Sequence, residues 1–85
     1  MAKYKLRVTR TFERDFRKLD VQTKRRIDST VRLLETDPYV GKPLRGDLAD
    51  KWSLRNGDYR VIYAISEDKK TVLLYDVSHR KKVYK

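Results

Sequence analysis

The stretch Lys51-Trp52-Ser53-Leu54-Arg55-Asn56-Gly57-Asp58-Tyr59-Arg60 constrains the fold more than any other part of the chain. Asn56-Gly57 is a hairpin signal, because a type I′ turn needs positive φ at both central residues and Asn and Gly tolerate it best. With those two residues as the loop, Arg55 pairs with Asp58, Leu54 with Tyr59, Ser53 with Arg60 and Trp52 with Val61. Side chains alternate along a strand, so Trp52, Leu54, Tyr59 and Val61 share one face. Lys51, Ser53, Arg55, Asp58 and Arg60 share the other. The first face is fit for burial. The second gathers cations around a hydroxyl and a carboxylate, an arrangement suited to holding a phosphate.

The chain has 85 residues, enough for one domain spanning 1–85 with one small core. A chain of this size buries roughly 60–65% of its unfolded surface. It contains no cysteine, which removes disulfides, thiolate metal sites and a cysteine nucleophile. That composition fits a reducing cytoplasm. The N-terminus alternates charge with apolar residues and lacks a signal-peptide core. The longest apolar runs, Val61 to Ile65 and Val72 to Tyr75, are too short to span a membrane. The net charge of +10 points to a polyanionic partner. The excess is spread along the chain and is strongest towards its two ends.

Tyr4, Leu6 and Val8 alternate with Lys3, Lys5 and Arg7, the pattern of a half-buried strand. Phe12, Phe16 and Leu19 recur on one helical face, with Thr9 or Thr11 as cap. Asp20 caps a second helix over about 21–36, whose stripe is Ile27, Val31 and Leu34. Asp37-Pro38 ends it. Gly41, Pro43 and Gly46 mark a loop running to about Asp50. Strands follow at about 51–55, 59–66 and 71–78, the last two joined by the polar turn Glu67-Asp68-Lys69-Lys70. The expected fold is therefore α+β, in the order β-α-α-β-β-β. The C-terminal strands form an antiparallel meander, the first strand joins an edge, and the helical hairpin covers one face. Trp52 belongs with the core. The opposite face carries the basic residues.

Chemistry narrows by elimination. One histidine and no cysteine leave only unclustered carboxylates for a metal, so no metal or other cofactor is expected. Gly41-Lys42-Pro43-Leu44-Arg45-Gly46 lacks the Lys-Ser/Thr end of a Walker loop. The basic constellation is Lys51, Arg55, Arg60, His79 and Arg80. Arg60 stands in the central strand of the meander, where a solvated arginine is less usual. Arg80 follows the last strand, whose end lies beside the start of the middle one, so the two arginines converge. They repel unless an anion or Asp58 lies between them. His79 is either a proton-transfer group or a strand-end surface residue. Tyr84 is a fraying residue, a core anchor or a base-stacking ring.

These residues resemble the RelE/ParE superfamily of toxins from toxin–antitoxin modules, most closely archaeal RelE-type members. The resemblance covers Phe12-Glu13-Arg14-Asp15-Phe16-Arg17-Lys18-Leu19, Pro43-Leu44-Arg45-Gly46, Trp52 through Tyr63, and His79-Arg80-Lys81-Lys82-Val83-Tyr84. It implies a RelE/ParE-like fold and a ribosome-dependent, metal-independent endoribonuclease that cuts mRNA in the A site. In that chemistry the RNA 2′-hydroxyl attacks the adjacent phosphate and translation stops. The resemblance assigns phosphate stabilisation to Arg60. It assigns phosphate contact and leaving-group protonation to Arg80. Substrate orientation or stacking falls to Tyr84, and one of two strand-lysine positions to Lys51. Arg45, Arg55, His79, Lys81 and Lys82 are the further RNA-binding candidates. Ser53 occupies the second lysine position, which leaves the base open: Lys51, His79 or no side chain. The implied partners are a RelB-like antitoxin, the ribosome and mRNA, with operator DNA reached only through the antitoxin. The implied location is the cytoplasm, without a membrane partner. Two other readings stay open: a ParE-like poison of DNA gyrase, and a non-catalytic domain that binds an antitoxin.

Overall fold

A computed structural model describes residues 3–79. Strand β1 (Lys5–Val8) leads into helix α1 (Arg10–Arg17) and helix α2 (Val21–Arg32). Short 3-10 turns follow, then β2 (Lys42–Pro43), β3 (Trp52–Asn56), β4 (Tyr59–Ser66) and β5 (Thr71–His79). The strands form one five-stranded sheet in the order β1-β5-β4-β3-β2. Strands β3, β4 and β5 are the expected antiparallel meander, and β1 joins its edge in parallel with β5. No helix among the described residues is long and apolar enough to cross a membrane.

Local chemistry sets the helix ends. The Thr9 hydroxyl accepts from the Phe12 amide at 3.1 Å, and the Asp20 carboxylate accepts from the Thr23 amide at 2.8 Å. Each satisfies an amide that the first helical turn leaves without a partner. Hydrogen bonds from Thr23 hold the Asp20 carboxyl below its usual range. Helix α2 stops at Arg32, short of the expected end near 36, and tightens into a 3-10 turn over Leu33–Glu35. The apolar side chains of the two helices meet one face of the sheet. Phe12, Ile27, Val31 and Leu34 are sealed against Val61, Tyr63, Val72, Leu74 and Val77. Each such aliphatic burial stabilises the fold by about 1.5–3 kcal/mol relative to exposure. Trp52 packs on this core half-buried, with its ring centroid 6.5 Å from Tyr63.

Three details depart from the expectation. First, the hairpin turns at Gly57-Asp58, not Asn56-Gly57. The pairs are Asn56 with Tyr59, Arg55 with Arg60, Leu54 with Val61 and Trp52 with Tyr63. Gly57 supplies the positive φ, at 58°. Asn56 is recruited into the strand because its side chain docks on α2, bonding the Arg26 carbonyl at 3.4 Å and the Thr30 hydroxyl. The turn moves by one residue, so each strand residue's partner shifts by two and the strand residues keep their faces, whereas Asp58 leaves the basic face for the turn. Second, Lys42–Pro43 pairs with Trp52–Ser53 inside the expected loop. The approach to it crosses Tyr63, whose hydroxyl donates to the Pro38 carbonyl at 2.7 Å and accepts from the Gly41 amide at 3.2 Å. Third, β5 carries a bulge. Ile62 pairs with Asp76 but Tyr63 pairs with Leu74, so Tyr75 is the extra residue.

Candidate functional site

The sheet face opposite the helices is built from the residues that alternate with the core. Arg55 and Arg60 stand directly opposite one another on β3 and β4, and Ser53 lies opposite Ile62. Like charges in a cross-strand pair destabilise by roughly 0.2–1 kcal/mol, an expense that a bound anion reverses. A groove of about 450 Å³ runs along this edge, lined by Gly41, Lys42, Pro43, Ser53, Arg55 and Arg60 among others. It adds Lys42 to the expected set, which the sequence hid because a two-residue strand has no periodicity to read.

Lys51 stands one step further along the same face. Its ammonium lies 4.4 Å from the centre of the Tyr75 ring and 3.2 Å from the Asp50 carboxylate. Extending the β3–β4 register by one residue places Lys51 opposite Ala64, whose small side chain lets the lysine reach across β4 to β5. The stem is largely covered, with 18% of the side chain exposed. Lys5 and Arg7 continue the basic face at β1, opposite Thr71 and Leu73. Arg45 is exposed where the loop enters a 3-10 turn, adjacent in the chain to the groove-lining Leu44.

His79 leaves the expected constellation. The alternation from Val72 and Leu74 would place residue 79 with Arg60, but the bulge reverses the parity after Tyr75. His79 therefore pairs with Tyr59 on the helix-facing side, with ring centroids 5.1 Å apart. Its Nε2 is 4.0 Å from the Asp58 carboxylate, and it lines a hollow with Asp15, Lys18 and Leu19 of the helical layer. Asp58 lies in the turn beside His79. The same reversal brings Asp76 out beside the arginines, a residue the sequence reading passed over. The signal was present: the apolar spacing on β5 runs Val72, Leu74, Val77, a step of two followed by a step of three. The bulge is anchored by Thr9, whose hydroxyl donates to the Tyr75 carbonyl at 2.6 Å while capping α1. Arg80, Lys81, Lys82 and Tyr84 lie outside the described residues.

One face packed under helices and one face lined by cations define a small α+β protein. Comparison with known proteins makes this particular. Residues 6–84 match the family model described as the ParE toxin of the type II toxin–antitoxin system parDE, and the chain belongs to that RelE/ParE toxin family. It is 37% identical over 84 residues to toxin RelG of Mycobacterium tuberculosis, covering 96% of this chain and 97% of the relative. Its structure is similar to a chain of the RelBE2 toxin–antitoxin complex of the same organism. The TM-score is 0.86 and the identity 38%, with 94% of each chain covered. An archaeal RelE–RelB complex from Pyrococcus horikoshii shares the fold at 24% identity, with a TM-score of 0.76 over 95% of this chain and 99% of the other. The archaeal flavour of the sequence resemblance is thus not distinguished, since these mycobacterial relatives are more similar.

Proposed function

We propose that the protein is a one-domain, ribosome-dependent endoribonuclease toxin that cuts mRNA in the A site and stops translation. The carrying observation is the Arg55–Arg60 cross-strand pair beside Ser53 and Lys42, on a face that the helices leave open. The reaction needs a cation on the phosphate as charge builds in the pentavalent state. Arg60 supplies it, and Arg55 and Lys42 hold the neighbouring backbone. Lys51, fixed over Tyr75, adds charge from the other side. Arg80 and Tyr84 keep the roles of leaving-group contact and substrate stacking that the family resemblance implies, and Lys81, Lys82 and Arg45 extend the RNA contact. The chemistry is proton transfer and charge stabilisation by side chains, with no metal in its steps. The RelB–RelE complexes among the structural neighbours support a RelB-like antitoxin as the partner that silences the toxin, with operator DNA reached through it. The cytoplasm is where such a target is met.

Induced expression should halt translation, and primer extension should show cuts within translated codons. Intact message with double-strand breaks at gyrase sites would overturn the nuclease reading. That outcome would favour a ParE-like action on DNA gyrase, the second reading, which the matched family model supports. Cell growth unaffected by the toxin, with antitoxin binding retained, would favour a purely antitoxin-binding role.

A further inference from the structure

We infer that Asp76 is the proton acceptor for the attacking 2′-hydroxyl, an inference that rests on the nuclease reading above. The family resemblance left the base open because Ser53 stands at one lysine position. The structure narrows the choice. His79 is turned to the helix side by the bulge. Lys51 is held between Tyr75 and Asp50, and a lysine ammonium donates protons without accepting them. Asp76 is the one carboxylate among the described strand residues that the register places on the open face.

Its position suits the task. Asp76 pairs with Ile62, and Arg60 pairs with Ser78, so Asp76 and Arg60 are diagonal neighbours on adjacent strands. Diagonal neighbours are roughly 7–8 Å apart at the backbone, within reach for long side chains. The 2′-oxygen lies close to the phosphorus it attacks. Its proton acceptor must therefore stand within a side chain's length of the cation that holds the phosphate. Among the described residues, the register places cations on this face: Arg60 on β4, Arg55 and Lys51 on β3 and its approach, Arg7 on β1 and Lys42 on β2, with Lys5 further along β1 opposite Thr71. Among the described residues of β5, the titratable Tyr75 precedes it at the bulge. An ionised carboxylate offers two acceptor oxygens and no donor, the reverse of the lysine ammonium. β-Bulges commonly sit next to active sites, where they re-aim a side chain. This one exchanges a histidine for a carboxylate on the open face.

The step balances. The 2′-hydroxyl proton passes to the Asp76 carboxylate as the 2′-oxygen–phosphorus bond forms. The bond from phosphorus to the 5′-oxygen breaks, its electron pair stays on that oxygen, and a proton arrives there from water or the family's arginine site. The products are a 2′,3′-cyclic phosphate and a 5′-hydroxyl. Asp76 later releases its proton to solvent.

Single-turnover cleavage of mRNA on programmed ribosomes tests this. Asp76→Asn should cut about 10²–10⁴-fold more slowly, the usual worth of a positioned base, with ribosome binding and thermal stability retained. Around neutral pH the wild-type rate should be flat, whereas the Asp76→Asn rate should climb about tenfold per pH unit as hydroxide takes over. Asp76→Ala should be rescued by added acetate or imidazole in proportion to concentration. If Asp76→Asn cuts within about threefold of wild type, or slows with an unchanged flat profile and no rescue of Asp76→Ala, the assignment is overturned. In that case wild-type cleavage leaves the nuclease reading standing. If wild type itself cuts no message, that reading fails, and this one with it.

Discussion

Val61 and Arg60 are neighbours on one strand and belong to different proteins in effect. Val61 is fully buried, 0% exposed, among Tyr63, Val72, Leu74 and Val77 under the helices. Arg60 points the other way, to a half-covered face of arginine, lysine and serine. The buried face tolerates almost no change of volume, since interiors are close-packed. The open face is lined by cations instead. It even keeps an unfavourable Arg55–Arg60 pairing. A cost of that kind, retained on the face that the helices leave uncovered, marks a surface shaped for something other than folding.

The largest expected effects come from splitting that neighbouring pair. Arg60→Ala should lower the mRNA cleavage rate by about 10²–10³-fold, as loss of one preorganised transition-state donor does, with the melting curve nearly unchanged. Val61→Ala should do the reverse: a loss of about 2 kcal/mol in denaturant unfolding, from two methyl groups and the space they leave, with cleavage retained. An Arg60→Ala protein that unfolds early while still cutting would erase the distinction between the faces.

Gly41 probes how the edge of the open face is held. A Cβ there would meet the Tyr63 hydroxyl, and the Ser53 carbonyl oxygen at 2.6 Å. The carbonyl is backbone and cannot swing aside. Gly41→Ala should therefore cost about 1–3 kcal/mol, the usual range for overpacking. It should also weaken RNA binding, because the groove loses its Lys42 wall. Urea unfolding and ribosome-binding assays read the two effects separately.

The sequence carried the faces further than the registers. Alternation through Trp52, Leu54, Tyr59 and Val61 placed each residue on its observed side although the turn was wrong, since a partner shift of two preserves parity. The error came from Asn56, which alone reads as a turn residue. In the fold, the Thr30 hydroxyl and the Arg26 carbonyl compete for its amide. Local preference lost to a tertiary hydrogen bond. The bulge is the opposite case, a shift of one, and it exchanged His79 and Asp76 between faces. Helix positions were legible because Phe12, Phe16, Ile27, Val31 and Leu34 keep helical spacing. Lys42–Pro43 was not, because so short a strand exists only through its pairing.

Thr9 tests the device that makes this exchange. Its hydroxyl both accepts from Phe12 and donates to Tyr75. Thr9→Val keeps the shape and removes both bonds. It should cost about 1 kcal/mol, as N-cap losses typically do. Cleavage should fall by more than the folded fraction accounts for, because Asp76 and His79 are positioned by the bulge. Thr9→Ser should restore both properties.

The smallest effect lies at the rim, far along β4 from Arg60, where the turn between β4 and β5 is tied down. Glu67 accepts from the Tyr4 hydroxyl at 2.7 Å, from Lys70 at 2.8 Å and from the Tyr39 hydroxyl. Lys70, the last residue of that turn, holds a left-handed backbone at φ 48°. Hydrogen bonds from Lys70, Tyr39 and Tyr4 hold the Glu67 carboxyl down at about 2, below its ordinary 4.5. A depressed folded-state carboxyl stabilises above the unfolded value and ceases to as pH falls through the folded one. Its contribution is therefore complete above 4.5 and disappears between 4.5 and about 2. The Glu67 carboxylate pushes the Tyr39 hydroxyl up to about 12, so the sign there is opposite: its contribution is present below 10.0 and lost as pH climbs to about 12. Exposed networks of this kind are screened by solvent and salt, so both arms should be shallow. Glu67→Gln should flatten the acid arm in denaturant midpoints measured against pH. Tyr39→Phe should shrink the alkaline arm and leave the part due to Tyr63, whose hydroxyl burial raises to about 12. Neither variant should change mRNA cleavage at neutral pH, since the cluster lies away from the groove that Arg60 lines. A loss of cleavage in Glu67→Gln at unchanged stability would mean that the functional face extends to the rim.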